Sequence, residues 1–452
     1  MVKRLSKILL AGIMFFSVAG FSACNLFRPP RARGDVTIWL MQFEDWSNAF
    51  WREQIAEFNR THDTTVAYRF ISPESINIEL TTARISGDAP DIFMVSYGNL
   101  LREVTNGTAA PLNGLLPAES LADITDNARS KVNFNGNYYA FPHLMEPSTL
   151  LFYRRDMLGG NSAPSTWDEL YAVMRDIAPG LSPQQSALGV PRSAARGWAT
   201  WGMQYNTLGH FAEDNSGGFA ITHDWTQPNV DNEAFRALGQ FFFEINRIEN
   251  GTPSGDLTPR GYTDIILALC DGRLAMTFGG SWSIGDIFNY RHRHPDVIQH
   301  IGVAPIPTID GNHTRPTATN GGWTYAIDSS SENKQLAADF LYWLIAGDAD
   351  RAIKFFELTH FSKITTRTSV QEIIDERLPE LDHSDWIETV LDVAERAVPE
   401  PTFPWEITEM VTFFFDRMMG ANASLEAEIS NLETEIQRII NRDNLTRPEL
   451  LS

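Results

Sequence analysis

The chain has 452 residues, of which 43% are apolar and 21% are charged. This composition is typical of a globular protein with a sizeable core, and the length predicts two or three domains. The 36 basic and 57 acidic side chains give a formal charge of −21. That charge argues against nucleic acid and anionic lipid headgroups as partners, because both are bound by neutralising phosphates with Lys and Arg.

Residues 1–23 have the three parts of a secretory signal: a basic start, a short apolar run and small residues. These parts are Lys3, Arg4 and Lys7, then residues 8–21, then Ser22-Ala23 before Cys24. The run is shorter than the roughly 20 residues that a membrane-spanning helix needs. Cys24 predicts a bacterial lipoprotein signal, cut before Cys24 and lipidated on its sulfur, with residues 24–34 as a tether. An ordinary signal peptide is the alternative, and both signals lead outside the cytoplasm.

Cleavage before Cys24 would leave 33 basic and 57 acidic side chains, a charge of −24. The second cysteine, Cys270, then has no partner for a disulfide. It follows the apolar residues 265–269 and is interpreted as a small buried hydrophobe.

Strand and helix patterns alternate after the tether. Strands are predicted over residues 36–41, 66–70 and 91–95, and helices over 47–58 and 76–85. Such alternation predicts an α/β domain with a mostly parallel sheet. Further strands are expected at 149–153, 274–278 and 302–307, and helices at 233–248, 262–271 and 332–345.

Three other segments carry distinct signals. The helix that opens in Pro164–Leu170 can be capped by Ser165 or Thr166. Residues 180–230 are rich in Gly, Ser, Asn and Trp and predict long loops. Apolar residues that step by four and three over 425–439 predict a final amphipathic helix that packs on its own domain.

Motifs for phosphate, zinc or nucleophile chemistry are missing from the sequence: it has no GxxxxGK, GxGxxG, HExxH, CxxC or GxSxG pattern. His292 and His294 form a weak metal candidate, and solvated polar residues are the better interpretation. Asp88 and Asp91 fit a turn before a strand better than an acid/base pair. No catalytic residue, metal or cofactor is predicted, although glycosidase carboxylates have no fixed spacing and an enzyme stays open.

Several segments, in this order, resemble those of the family 1 extracellular solute-binding proteins, the receptors of sugar-type ABC importers. They are Ser86-Gly-Asp-Ala-Pro-Asp-Ile-Phe93, residues 101–112, Gly136-Asn-Tyr-Tyr-Ala-Phe-Pro142, Leu151–Met157, Pro164-Ser-Thr-Trp-Asp-Glu-Leu170, residues 272–276, Gly280-Ser-Trp282 and Gly321-Gly322. The similarity runs from about residue 35 to the end. Arg154 departs from the usual Asn, and residues 182–218 and the region of His292 are irregular for the family.

The resemblance implies a two-lobed, type II-like periplasmic-binding-protein fold, in which each lobe is a mixed, mostly parallel sheet flanked by helices. One lobe would hold residues 35–142 and 325–375, and the other 147–320 and 380–452. Hinge crossings near 142–146, 320–324 and 367–380 would join them. A ligand in the cleft would favour the closed form, which the importer would recognise.

The resemblance also implies a ligand and its contacts. Carbohydrates suit such a cleft, because their C–H faces pack on aromatic rings while their hydroxyls need placed polar groups. The expected contacts are Phe43, Glu44, Trp46, Tyr97, Glu146, Trp282, Trp323 and Trp405. The expected partners are a mono- or oligosaccharide, the ABC permease subunits and, through the lipid anchor, the membrane; the protein is expected to be a monomer.

Two rival classes stay open from the sequence. A surface glycoside hydrolase or lyase would turn its sugar over, whereas a receptor returns it unchanged. An adhesive or scaffold lipoprotein would not be stabilised by any small ligand.

Overall fold

The structure is a computed structural model. It describes residues 34–43, 45–72, 75–190, 195–211, 220–253, 262–291 and 295–448. The predicted signal, Cys24, the tether up to residue 33, Glu44, His292 and His294 lie outside these residues. Within them, no helix has the length and apolarity to cross a bilayer.

Thirteen strands are found in this part of the chain. They are β1 Val36–Met41, β2 Val66–Ile71, β3 Ile92–Ser96, β4 Asn133–Phe134, β5 Asn137–Tyr138, β6 Phe141–Pro147, β7 Leu150–Arg154, β8 Ser186–Gly189, β9 Leu274–Gly279, β10 Ile301–Ala304, β11 Thr319–Ile327, β12 Ile364–Thr365 and β13 Val398–Pro399.

The α-helices in the same ranges alternate with these strands. They are α1 Asp45–Thr61, α2 Ile76–Ser86, α3 Tyr97–Thr105, α4 Ala118–Ala122, α5 Asp126–Val132, α6 Trp167–Ile177, α7 Ala195–Phe211, α8 Glu233–Ile245, α9 Tyr262–Cys270, α10 Ser283–Tyr290, α11 Val297–His300, α12 Lys334–Leu341, α13 Ala349–Leu358, α14 Thr368–Arg377, α15 Ser384–Arg396, α16 Trp405–Met418 and α17 Leu425–Asp443.

The first sheet has the order β12-β6-β11-β3-β1-β2, and β13 pairs with the start of β11. β1 is parallel to β2 and β3, as the strand–helix alternation indicates. β11 is antiparallel to both β3 and β6. β6 and β11 are the strands by which the chain leaves and re-enters this sheet, and they lie at the first two predicted crossings.

The second sheet has the order β10-β7-β9-β8. β7 is antiparallel to β9 and β10, and β8 is parallel to β9. Both sheets are therefore of mixed orientation, and antiparallel pairs are more frequent than the alternation alone indicated. The antiparallel pairs form where β11 runs between β3 and β6, where β12 meets β6, and where β7 lies between β9 and β10.

Separate hydrophobic cores lie on the two sheets. Buried residues from 36–145 and 325–374 form the core on the first sheet. Buried residues from 150–318 and 386–440 form two clusters on the second sheet. Leu378 and Leu381, after α14, touch cores on both sides. These cores define the first and second lobes as the names are used below.

Two local expectations at helices are confirmed. Thr166 caps α6: its hydroxyl accepts from the Glu169 N–H at 3.0 Å, and the Glu169 carboxylate accepts from the Thr166 N–H at 3.3 Å. This is the reciprocal capping box that stabilises helix starts. In α17, the apolar stripe is buried in the second-lobe core.

The prediction of long loops over residues 180–230 is wrong for part of that range. Residues 186–189 form β8, and 195–211 form the 17-residue helix α7. Gly, Thr and Asn lower the intrinsic helix propensity of α7. Burial overrides that preference, because Thr200, Trp201 and Met203 are each at most 3% exposed.

Candidate functional site

A cavity of about 730 Å³ lies between the lobes. Its first-lobe wall comes from the ends of β1 and β3, from α2 and from the crossing strands β6 and β11. Its second-lobe wall comes from α7, α9, α16 and the turn after β9. The carboxyl ends of parallel strands are the usual place for ligands in open α/β sheets, since loops and helix starts converge there.

Two aromatic rings form a corner of the first-lobe wall. Phe43 follows β1, and Trp323 lies on β11, opposite Ser96 at the end of β3. Their ring centroids are 5.0 Å apart at an interplanar angle of 64°, an edge-to-face contact. Both side chains line the cavity and are partly exposed to it. The corner offers an apolar surface for a flat ligand face.

A buried ion pair lies beside this corner. Residue 364 pairs with Met145 across β12 and β6, and this register sets Lys363 opposite Glu146. The Lys363 Nζ lies 2.5 Å from the Glu146 carboxylate, and each side chain is 9% exposed. Removing one partner of such a pair leaves an uncompensated buried charge. The pair is a fixed polar group at the crossing, as well as part of the lining.

Glu400 is a second carboxylate in the lining, directly after β13. The N–H of Gly98, in the first turn of α3, donates to its Oε2 at 3.2 Å. Gly321 leaves the necessary space, since a Cβ there would lie 1.8 Å from Oε1. Burial raises the pKa of Glu400 to about 7, and the Glu146 charge adds to the rise. Glu400 therefore titrates near neutral pH.

The second-lobe wall is also aromatic. The Trp282 ring lies over Gly280, where a Cβ would meet its ring atoms at 2.0–2.3 Å. Trp405 opens α16 and meets Trp201 of α7 at 6.1 Å and 78°. All three tryptophans line the cavity. The indole N–H of Trp201, whose side chain is 3% exposed, has no hydrogen-bond partner in the described structure.

The structure thus brings together five of the predicted contacts: Phe43, Glu146, Trp282, Trp323 and Trp405. Two others lie off the lining. Trp46 faces the seam between the lobes, where a Cβ on Gly285 would be 3.4 Å from its ring. Tyr97 is 6% exposed at the start of α3, where burial and the charges of Glu400 and Glu146 raise its pKa well above the usual value.

Sequence reasoning missed Trp201, Lys363 and Glu400. The sequence predicts a loop around Trp201, and a loop has no face that could be expected to point into the cleft. Lys363 is placed by a strand of only two residues. Glu400 stands between two prolines in Pro399-Glu400-Pro401, a local signal that an extended segment carries an acidic group.

Two lobes with separate cores, joined by paired strands and with a cavity between them, define a two-lobed binding protein. The profile of a family described as "Bacterial extracellular solute-binding protein" matches residues 44–349. The chain belongs to that family. Its members work outside the cytoplasm, as the signal-like N-terminus predicts.

Individual relatives are more distant. A maltotriose-binding protein of Pyrococcus abyssi is 23% identical over 312 residues, which are 69% of this chain and 62% of that protein. The aligned part therefore spans less than two thirds of that relative. A galactooligosaccharide-binding protein of Bacillus subtilis is 21% identical over 76% of this chain and 77% of its own.

A solved structure with the same fold is the solute-binding protein of an ABC transporter from Thermotoga lettingae, bound with α-D-tagatose. Its TM-score is 0.71 at 22% identity, over 90% of this chain and 99% of that one. The structure of the maltotriose-binding protein of Thermus thermophilus, bound with maltotriose, has a TM-score of 0.70 and is 20% identical. The match covers 90% of this chain and 100% of that one. These similarities confirm the predicted two-lobed α/β fold.

Proposed function

We propose that the chain captures a carbohydrate in its interlobe cleft and delivers it to the permease of an ABC importer. One observation carries this proposal: aromatic rings from both lobes line a single cavity that also holds fixed polar groups. Aromatic walls with a few placed polar groups suit a sugar, whose C–H faces are apolar and whose hydroxyls are not. The family and the names of the relatives support the same function.

In this proposal, five of the predicted contacts bind the sugar. Phe43 and Trp323 pack on a ring from one side, and Trp282 and Trp405 from the other. Glu146, held by Lys363, accepts hydrogen bonds from hydroxyls.

The remaining predicted contacts are Glu44, Trp46 and Tyr97, and they stay predictions. Trp46 and Tyr97 reach a ligand only if closure of the lobes turns them toward the cleft.

Closure is proposed to move residues 35–142 with 325–375 against residues 147–320 with 380–452. A ligand that touches both lobes prefers the closed form, and it shifts the population only by that preference. The permease would then distinguish the loaded shape from the empty one.

The proposed setting follows from the N-terminus and the charge. Cys24 carries the lipid anchor, which holds the protein at the periplasmic face or the outer surface of a membrane, and nucleic acid is not a partner. The protein is further proposed to be a monomer. Mass spectrometry of the protein from a bacterial membrane tests the anchor: a mass that retains residues 1–23 would contradict it.

A thermal-shift screen of the chain from residue 35 against mono- and oligosaccharides tests the function. A sugar at a hundred times its dissociation constant should add about 2.7 kcal/mol to the free energy of unfolding. Calorimetry should then give one site, and Trp282→Ala should lose at least about tenfold in affinity.

The control is Trp343→Ala, a tryptophan that packs on Phe58 away from the cavity. It can lower the melting temperature but should leave the affinity unchanged. Equal losses in the two variants would refute the assigned contact. Products released from any bound sugar would favour the enzyme alternative, and a panel without any stabilising sugar would refute carbohydrate capture.

A further inference from the structure

The cleft has an excess of negative charge that a neutral sugar does not compensate. We propose that its ligand is an amino-substituted carbohydrate whose ammonium group is recognised by Glu400 and Glu409. This inference rests on the proposed carbohydrate function and names the chemical class of the ligand.

The first step is the charge of the lining. Lys363 is the only basic side chain among the described lining residues, and Glu146 already engages it at 2.5 Å. Glu400 and Glu409 both line the cavity, and in the described part of the chain no Lys, Arg or His nitrogen lies within 4.0 Å of either carboxylate. A cleft lined by one sign of charge attracts ligands of the other sign.

The carboxylate of Glu400 is fixed in position by the backbone of the first lobe. The Gly98 N–H fixes one carboxylate oxygen, and the missing side chain at Gly321 lets the other approach the backbone. Lys131 is a more distant cation that also acts on Glu400, but its ammonium group is hydrogen-bonded to Asn127. Burial works against the ionised form of Glu400, so a ligand cation would supply the missing compensation.

The third step concerns the neighbours of Glu409. Trp405 and Glu409 are four residues apart on α16, so their side chains lie on the same face of the helix. An aromatic ring beside a carboxylate suits an ammonium group, which is attracted by the ring face as well as by the charge.

An independent observation favours a ligand that also carries an oxygen acceptor. Trp201 lines the same cavity, and its indole N–H is buried and has no partner in the described structure. An unsatisfied buried donor costs free energy, and a hydroxyl or ring oxygen would satisfy it. A neutral sugar offers Trp201 an acceptor but gives the ionised form of Glu400 no counter-charge. An amino sugar offers an oxygen acceptor to the Trp201 indole and a positive charge to the Glu400 carboxylate.

The test compares ligands that differ in whether their amino groups can carry a positive charge. Calorimetry at neutral pH would use glucosamine oligosaccharides and their N-acetylated counterparts of the same length, in several linkages, beside neutral malto-oligosaccharides. The amine form should bind about 10- to 100-fold more tightly than the acetylated form, the range expected for a hydrogen bond to a charged group. Glu400→Gln should remove most of this preference, and Glu409→Gln part of it.

Glu406→Gln is the matched control, since Glu406 lies on the same helix but pairs with Arg442 away from the cavity. It should keep the full preference. Equal binding of amine and acetylated forms, or a preference that persists in both Glu400→Gln and Glu409→Gln, would overturn the inference while carbohydrate capture stands. A panel in which no carbohydrate binds would overturn both proposals.

Discussion

Gly202→Ala tests whether α7 holds the second-lobe wall in place. Gly202 lies on α7 where the helix crosses the chain just before β11. A Cβ at this position would lie 1.8 Å from the Thr317 carbonyl oxygen, 2.4 Å from its carbon and 2.8 Å from the Ala318 nitrogen. All three atoms belong to the backbone, so no flexible side chain can turn away.

The magnitude follows from the distance. Ordinary carbon–oxygen contacts are about 3.3–3.6 Å, so α7 or residues 317–318 must move by about 1.5 Å. Overpacking a core costs about 1–3 kcal/mol and more where nothing can yield. We expect Gly202→Ala to lower the free energy of unfolding by about 3 kcal/mol or more. The shift also displaces the adjacent Trp201, so the affinity for ligand should fall.

Gly180→Ala is the control for this prediction. Gly180 lies in the same lobe, and a Cβ there would meet no heavy atom within 4 Å. That variant should be neutral or gain up to about 1 kcal/mol, because alanine restricts the unfolded chain. Thermal and urea unfolding of both variants, with calorimetry of the bound sugar, measure the difference. Equal melting temperatures for Gly202→Ala and the unmodified protein would refute the close approach of α7 to residues 317–318.

Three further predictions concern single contacts. Lys363→Met should cost about 3–5 kcal/mol in urea unfolding, because it leaves the Glu146 carboxylate buried and unpaired; adding Glu146→Gln should restore most of the loss, and additive losses would contradict the pairing. Glu400 has a pKa raised to about 7, so its contribution to stability falls as the pH rises from about 4.5 through 7. The free energy of unfolding of Glu400→Gln, measured relative to that of the unmodified protein, should therefore be about 1–3 kcal/mol higher at pH 8 than at pH 4.5. A difference between the two proteins that does not change with pH would contradict the raised pKa. Thr166→Ala should cost about 1 kcal/mol through loss of the cap on α6, whereas Thr166→Ser should not.

Periodic patterns of apolar residues were enough to predict the strands and helices at the start of the first lobe. The strands at 36–41, 66–71 and 92–96 alternate with helices, and their apolar residues point to one core. Local chemistry was enough for these elements, and for the cap at Thr166. α7 was missed because its residues have weak helix propensity and only tertiary burial makes it a helix.

Most of the cleft could not be predicted, because it is built by contacts between segments that are far apart in the sequence. Phe43 and Trp323 follow or lie on clear strands, so their place at the strand ends could be expected. Lys363 reaches Glu146 through pairing across 217 residues of sequence. Glu400 meets Gly98 across 302 residues. Neither separation leaves a periodic signal, so such contacts follow only from the assembled fold.

The pairing of β6 with β11 is irregular beside a tryptophan of the cavity, which offers a way to measure ligand binding. Its register shifts between Trp323 and Thr324, beside Gly322, which has a φ of 139°. Bending of the ladder at this irregularity would change the surroundings of the Trp323 indole, which also faces the cavity. Trp323 is therefore one of several built-in fluorophores at the cavity, and a change in the intrinsic tryptophan emission would report occupancy in real time without an attached dye.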